Sequence, residues 1–310
     1  MIATVPLTLL ILALAKESFG ASCGKNAKFA VVDSGLKEYP SKLTVFGIPI
    51  LATSKWKKGK LNHVASVLAQ LIDNDNDGCP DDPLALDELR LVKHGRQQAV
   101  VLLDIEPDKA FVYEKLSQTH YSDGITLAEN QVKPSCSGLK FTPTRPNDPK
   151  HCQDAAPEEL FHFVSVNGYG KVYPDFFGTS WDHPSKLTEL MDIARGGRFK
   201  EIPKEGYPSA AWYHYNEPTC GYSGCQSGEY IWWGYCAYSG ICKARDGIIE
   251  FEQEFEYLKK SEFKTKDSEL AKLFQDSALP TKAVNGKYRG CETCASGGPG
   301  LRAQVESKYF

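Results

Sequence analysis

Apolar residues in the first half of the chain occur in short runs that are rich in β-branched side chains. These runs cover residues 29–32, 43–52, 99–105 and 124–127, and turn-forming residues bound each of them. Bounded runs of this kind are typical of β-strands. Residues 60–72 differ, because they place Leu61, Val64, Leu68 and Leu71 at helical spacing. The pattern therefore predicts strands interrupted by one helix.

The second half of the chain has a helical pattern. After a polar, proline-rich segment at 134–153, helices are predicted at 157–166, 184–194, 228–238, 248–259 and 268–277. A sheet-bearing half followed by a helical half predicts an α+β fold. We expect residues 21–310 to form a single domain, which divides into subdomains 21–153 and 154–310 if it divides at all.

The first twenty residues have the features of a secretory signal peptide. Residues 6–15 form a short apolar run, and the small residues Ser18 and Gly20 precede a cleavage point after Gly20. The run is about half of the roughly 20 apolar residues that a membrane span needs, and no later segment is long enough. We therefore expect residues 1–20 to be removed and the mature protein to be secreted, with no membrane span.

Composition and charge narrow the classes of partner. The chain is 42% hydrophobic and 24% charged, which is ordinary for a globular protein. It carries 36 Lys and Arg residues against 39 Asp and Glu residues, a formal charge of -3. A nucleic-acid-binding protein usually carries a strong basic field. Nucleic acid is therefore not an expected partner.

Ten cysteines follow the predicted signal peptide. An even number of cysteines in an oxidising compartment predicts a set of disulfides. The short spacings between Cys220 and Cys225, and between Cys236 and Cys242, predict that this region is stapled locally. A CxxC pair at 291–294 leaves open a metal site there, although no second pair accompanies it.

An acidic loop directly follows the predicted helix 60–72. Aspartates stand at positions 1, 3, 5 and 9 of this loop and Gly78 at position 6, which matches the first nine positions of an EF-hand loop. Alternate carboxylates converge there on one hard cation, and the glycine allows a sharp turn. The predicted calcium ligands are Asp73, Asp75, Asp77, Cys79 and Asp81.

Position 12 of the loop departs from the EF-hand pattern. Leu84 stands where the bidentate glutamate is expected, so Asp82, Asp87, Glu88 or water must supply that ligand. The alternative interpretation is a solvated acidic turn that ends the helix. With the glutamate missing, we expect a weak calcium site with a structural role.

Residues 154–163 carry two glutamates and a histidine on a predicted helix. Asp154 is placed to cap this helix and Pro157 lies in its first turn. Glu158 and His162 are one turn apart and share a face, with Glu159 beside them. This E-E-x-x-H pattern resembles the H-E-x-x-H motif of zincin metallopeptidases. The resemblance implies that Glu158 and His162 bind zinc and that Glu159 activates a zinc-bound water as general base.

A third ligand is implied by the gluzincin branch of the same family, in which a glutamate on a later helix completes the site. Glu229 opens the predicted helix 228–238, so the resemblance implies a zincin-like fold with Glu229 as that ligand. One histidine and two glutamates suit zinc and other divalent metals. The alternative is that Glu158 and Glu159 only complement the helix dipole and His162 is a partly buried polar residue.

Residues 207–238 are unusually rich in tryptophan and tyrosine. They form either a core around the local disulfides or the wall of a ligand pocket beside Glu229. In the second case, Tyr213 or His214 would donate a hydrogen bond or proton to a developing oxyanion.

The sequence thus favours a secreted, disulfide-stapled, zincin-like metal-dependent hydrolase that acts on a peptide or a small molecule and has a structural calcium loop. One alternative is a non-enzymatic extracellular calcium-binding protein on a degenerate zincin scaffold. Another is a secreted oxidative enzyme, of the luciferase type, that acts on a small aromatic substrate. The chain contains no G-x-S-x-G elbow and no dinucleotide-binding fingerprint.

Overall fold

The computed structural model describes residues 29–104, 114–136, 153–244 and 254–290. The predicted signal peptide, Cys23, Cys152, the CxxC pair at 291–294 and the first part of the predicted helix 248–259 lie outside the described residues. Within the described part, strands occupy the first half of the chain and helices dominate the second half. The predicted α+β class is therefore confirmed.

The strands of the described region form one mixed sheet. They are β1 (Val32–Asp33), β2 (Ser41–Val45), β3 (Ile48–Ala52), β4 (Val92–Lys93), β5 (Arg96–Leu103) and β6 (Tyr121–Ala128). Strands β1, β2 and β3 pair antiparallel, whereas β5 pairs parallel with both β3 and β6. The short β4 pairs antiparallel with the start of β5. The second half of β5 is fully buried, as expected for a central strand with parallel neighbours.

The predicted strand 43–52 is a hairpin and not one strand. The chain reverses at Phe46 and Gly47, whose φ angles are 47° and 86°. A two-residue hairpin turn of this kind requires positive φ at both central residues, which glycine adopts readily and phenylalanine does not. The apolar run concealed the turn because β3 is entirely buried and the turn itself contains Phe46, so no polar residue marks the reversal.

Two of the helices whose bounds are described lie between β3 and β4 in sequence, and the others follow β6. In chain order, these helices are α1 (Lys58–Ile72), α2 (Pro83–Leu89), α3 (Ala156–His162), α4 (Gly170–Val172), α5 (Pro174–Phe177), α6 (Lys186–Ala194), α7 (Ser227–Ser239), α8 (Lys260–Lys266) and α9 (Ser268–Asp276). A π-helical segment, Phe163–Tyr169, joins α3 to α4. The predicted helix 157–166 therefore changes its hydrogen-bonding pattern immediately after His162.

Helix α2 was not predicted, although its start is well marked. The carboxylate of Asp82 accepts hydrogen bonds from the backbone N–H groups of Leu84 and Ala85, and Pro83 is the first helical residue. An aspartate cap followed by proline favours helix initiation. In the sequence, this stretch looks like a continuation of the acidic loop, and the start of a helix is therefore not recognised there.

The prediction of a helix at 248–259 is wrong for its described part, residues 254–259. Phe255 forms an antiparallel bridge with Tyr213 and is fully buried. Its ring lies parallel to that of Trp233, with the ring centroids 6.4 Å apart. Tertiary packing of these aromatic side chains selects an extended backbone here, and helix α8 begins only at Lys260.

Two packed helices, α3 and α7, carry the side chains of the candidate site. Helix α3 packs against α1 and β6, and α7 packs against α3. Helix α7 is buried nearly all round, with Trp232, Trp233 and Tyr235 at most 1% exposed. A helix that is buried on all sides belongs to the core of a protein. Its buried first turn, in which only Glu229 is partly exposed, therefore has a fixed position next to α3.

Disulfides staple both ends of α7. Cys220 pairs with Cys225 before the helix, and Cys236 pairs with Cys242 at its end. The local stapling predicted for this region is confirmed, whereas the sequence left the connectivity open. Cys79 and Cys136 are also disulfide-bonded, and no described cysteine is free. Among the helices of the described ranges, none has the length and apolar character that crossing a bilayer requires.

Candidate metal centre

Three predicted ligand side chains come together between α3 and α7. Glu158 and His162 project from one face of α3, and Glu229 projects from the first turn of α7. One ligand atom from each lies within 4.8 Å of the other two. The His162 Nε2 atom lies 3.3 Å from the Glu229 Oε1 atom, and each of these side chains is 15% exposed. The cluster is thus shielded but still reached by solvent.

A close helix contact brings these groups together. A Cβ atom built on Gly228 would lie 3.6 Å from His162 Nδ1 and 3.4 Å from Val166 Cγ2, so the backbone of α7 passes directly beside α3. On the adjacent face of α3, the ring of Phe161 stacks on that of Tyr235 with centroids 4.5 Å apart. These contacts turn the Nε2 side of His162 towards Glu229.

The charge balance of this cluster is negative. Burial lowers the pKa of a histidine, but the hydrogen bond and charge of Glu229, together with the charges of Glu159 and Glu158, outweigh it and raise the pKa of His162 to about 9. In the metal-free protein His162 is therefore protonated at neutral pH and forms an ion pair with Glu229. The same Nε2 atom that holds this proton is the one that a metal would need.

The donor spacing fits a small divalent metal. Two ligands bound at about 2.0–2.2 Å to one tetrahedral zinc ion are about 3.4 Å apart. The 3.3 Å between His162 Nε2 and Glu229 Oε1 matches that separation. Glu158 must approach the pair more closely to complete a three-ligand set, a change that one rotatable side chain can make.

The start of α3 is tied to α1 by a buried pair. The Asp154 Oδ2 atom lies 2.7 Å from His63 Nε2, and both side chains are at most 6% exposed. The Asp154 Oδ1 atom accepts hydrogen bonds from the backbone N–H groups of Lys133 and Ala156. Asp154 therefore holds the start of α3, one turn before Glu158. The predicted capping role is not confirmed, because the N-cap residue is Ala155 and the helix has no side-chain cap hydrogen bond.

The two predicted helper residues have different surroundings. Tyr213 is fully buried, and its hydroxyl donates a hydrogen bond of 2.6 Å to the backbone carbonyl of Gln226. Burial and then the charge of Glu229 raise its pKa well above the usual range. His214 instead lines a surface hollow with Lys204 and Tyr207, 6.0 Å from the Tyr207 ring centroid. The structure does not bring the His214 side chain to the cluster.

Tyr215 is a neighbour of the cluster that sequence reasoning missed. It is partly exposed, and its ring lies on the same side of the extended segment as that of Tyr213, with centroids 6.4 Å apart. Burial raises its pKa, and the charges of Glu229, Glu254 and Glu158 raise it further. Alternation along an extended segment puts residues 213 and 215 on one face and 214 on the other. That rule would have identified Tyr215 had the segment been predicted as extended.

The acidic loop 73–81 forms a second cluster, in which carboxylate oxygens of Asp73, Asp75 and Asp81 lie within 4.8 Å of one another. Asp73 is fully buried and accepts hydrogen bonds from the backbone N–H groups of Gly78 and Asp77 and from the Tyr288 hydroxyl. Burial raises the pKa of Asp81 to about 7, with the backbone N–H of Asn74 opposing the rise. The cluster therefore favours either a proton or a cation.

The three carboxylates near position 12 of the loop, which could replace the missing glutamate, have other partners. Asp82 caps α2 and accepts a hydrogen bond of 2.8 Å from the Tyr173 hydroxyl. Asp87 pairs with Arg90, and Glu88 pairs with Lys93. Asp77 accepts a hydrogen bond from the backbone N–H of Cys79 and is not part of the three-carboxylate cluster.

Comparisons with known proteins find no matching family model, no matching curated protein and no matching solved structure.

Proposed function

We propose that this chain is a secreted, metal-dependent hydrolase of zincin-like design. The observation that carries the proposal is the convergence of Glu158, His162 and Glu229, from two helices that are distant in sequence, within 4.8 Å. Disulfides at both ends of α7 support an oxidising, extracellular compartment. The ligand set suits zinc or another divalent transition metal.

Each residue has a distinct role in this proposal. Glu158, His162 and Glu229 would hold the metal, which would supply Lewis-acid chemistry and lower the pKa of a bound water. Glu159, adjacent on the same helix, would serve as the general base. Tyr215, in place of the predicted His214, faces the oxyanion that develops on the substrate. Tyr213 has a supporting role, because its hydroxyl already bonds to Gln226.

We assign the acidic loop a structural calcium ion. Asp73, Asp75 and Asp81 provide three carboxylates, and water completes the coordination that position 12 does not supply. A chain that binds calcium alone, with no transition metal at Glu158, His162 and Glu229, would be the non-enzymatic calcium-binding protein that the sequence left as an alternative.

Elemental analysis of the secreted, untagged protein tests the proposal, with the wild type beside Glu159→Gln and His162→Ala. We expect one equivalent of a transition metal in the wild type and in Glu159→Gln, and none in His162→Ala. A panel of peptides and esters should be hydrolysed by the wild type alone. Glu159→Gln is the matched control, since it keeps the ligands and removes only the base.

Two results would contradict this function. If all three proteins contain calcium alone, the cluster between α3 and α7 is not a metal site. If Glu159→Gln hydrolyses the substrates as fast as the wild type, Glu159 is not the base. Oxygen uptake by the metal-loaded protein with small aromatic compounds, without hydrolysis, would favour the oxidative alternative.

A further inference from the structure

The two disulfides that flank α7 differ in their access to solvent. Cys236 and Cys242 are both fully buried. Cys220 is 4% exposed, but its partner Cys225 is exposed. An exposed disulfide is open to attack by an external thiolate, whereas a buried one is not. Of these two disulfides, the one before α7 combines this access with proximity in sequence to the proposed metal ligand Glu229, four residues beyond Cys225.

The turn closed by Cys220 and Cys225 holds the start of α7. Gln226 donates from its side chain to the Cys220 carbonyl at 2.9 Å and from its backbone to the Gly221 carbonyl at 3.1 Å. Its own carbonyl accepts the hydrogen bond from Tyr213. Hydrogen bonds to the disulfide-closed turn thus hold Gln226, three residues before Glu229, in place.

The backbone of the turn between the two cysteines is not helical. Ser223 has an extended conformation and Gly224 has a φ of 83°, so the helical hydrogen-bonding pattern is interrupted inside the turn. A disulfide that closes a short turn restricts the alternatives open to the chain. Without the cross-link, residues 221–225 gain conformations that release Gln226 and let the first turn of α7 move.

We infer that the Cys220–Cys225 disulfide is a thiol-exchange site that controls metal retention by Glu158, His162 and Glu229; this inference rests on the function proposed above. A dithiol reductant donates two electrons and two protons to the disulfide, the S–S bond breaks, and two thiols form. The dithiol leaves as its own cyclic disulfide. Opening the turn displaces Glu229 and weakens the site, as changes that disturb the support of a metal ligand do.

The test combines graded reduction with two double variants. The wild-type protein is treated with increasing dithiothreitol, alkylated with iodoacetamide and desalted, and peptide mass analysis identifies the opened disulfides. Zinc affinity is then measured by competition with a fluorescent chelator. Alkylation prevents the new thiols from binding zinc themselves. Cys220→Ser/Cys225→Ser mimics the open state, and Cys236→Ser/Cys242→Ser is the matched control on the same helix.

We expect Cys220 and Cys225 to be alkylated before Cys236 and Cys242, and zinc affinity to fall by about tenfold or more in step with that labelling. The first double variant should have the reduced affinity at the outset. If Cys236 and Cys242 react first, or if affinity stays constant while Cys220 and Cys225 are alkylated, the inference is wrong. Because the titration uses the wild-type protein, a variant that fails to fold does not prevent the test. An oxidised wild type that binds no zinc would instead refute the proposed metal site.

Discussion

The two acidic clusters of this protein bring their carboxylates together in different ways. Asp73, Asp75 and Asp81 belong to one nine-residue loop, and backbone N–H groups of the same loop bind all three of their carboxylates. Glu158 and Glu229 instead come from separate helices, and the ion pair of His162 with Glu229 joins the two helices. The loop cluster therefore depends on local chain geometry, whereas the cluster between α3 and α7 depends on helix packing.

This difference has an energetic consequence. Hydrogen bonds from Gly78 and Asn74 offset part of the charge repulsion in the loop even without a cation. In the interhelical cluster the proton on His162 offsets the charges of the glutamates. A metal that binds the interhelical cluster must displace the proton on His162. A metal that binds the loop cluster at low pH must displace a proton from Asp81. We therefore expect the two clusters to respond independently to mutation.

Matched carboxylate-to-amide changes give the largest expected effect. Glu229→Gln should lower transition-metal affinity by more than the roughly 100-fold seen for outer-shell changes, because it removes a direct ligand. Its calcium affinity should match that of the wild type. Asp75→Asn should have the opposite pattern, with weaker calcium binding and unchanged zinc binding. Isothermal titration with each metal measures both.

If either variant lost both zinc and calcium binding, the two clusters would depend on one another, and the prediction that they respond independently would be wrong. Circular dichroism and thermal unfolding of the metal-free variants serve as the control. Both substitutions keep the side-chain volume, so the metal-free proteins should have the secondary structure of the wild type.

The next largest expected effect comes from a change in the core packing beside the interhelical cluster. Phe161 is fully buried and stacks on Tyr235, so Phe161→Ala should lower the free energy of unfolding by about 3–5 kcal/mol. In the folded protein it should also weaken zinc binding, because His162 is the next residue, while calcium binding by the loop stays intact. Ile193→Ala on α6, where the side chain is 61% exposed, is the control and should cost little. Denaturant unfolding would contradict the prediction if the two variants were equally stable.

The sequence predicted the local cluster and the interhelical cluster for different reasons. The loop ligands follow from residue spacing alone, because a turn with Gly78 places neighbouring carboxylates together in any fold. Glu229 was found only through a family resemblance, since nothing in its own segment points to Glu158. The partners of Asp73 also include Tyr288, which is 215 residues away, and no spacing rule could predict that contact.

The differences between the structure and the predictions at residues 254–259 and at His214 have a common physical cause. The sequence treated residues 254–259 as helical and gave His214 as an alternative to Tyr213, whereas the structure has an extended segment at 213–215 in which Tyr213 pairs with Phe255. That pairing depends on the fit of buried aromatic rings from distant parts of the chain. Periodicity within one window contains no information about it.

Calcium binding should depend on pH through Asp81. Burial raises the pKa of Asp81 to about 7 in the cation-free protein, above its ordinary value. A group whose pKa is raised on folding contributes stability below its unfolded pKa and loses that contribution as pH rises through the folded pKa. The cation-free protein should therefore lose stability towards pH 8, whereas calcium affinity should rise about tenfold from pH 6 to pH 8 as the carboxylate ionises. Asp81→Asn should bind weakly with no such slope in calorimetry.

The smallest expected effect concerns the support of Asp73. The buried hydroxyl of Tyr288 donates a hydrogen bond to the Asp73 carboxylate, and Tyr288→Phe removes it without changing the ring. This bond lowers the pKa of Asp73 and so opposes the rise caused by burial. Its loss should weaken calcium binding by about fivefold, the equivalent of one hydrogen bond worth about 1 kcal/mol. Tyr222→Phe is the matched control, since it removes a hydrogen bond from a buried tyrosine hydroxyl to the carboxylate of Asp192 on α6, outside the acidic loop. Calcium titrations in which both variants weaken equally would mean that Tyr288 acts through general stability, and the local character of the loop cluster would have to be abandoned.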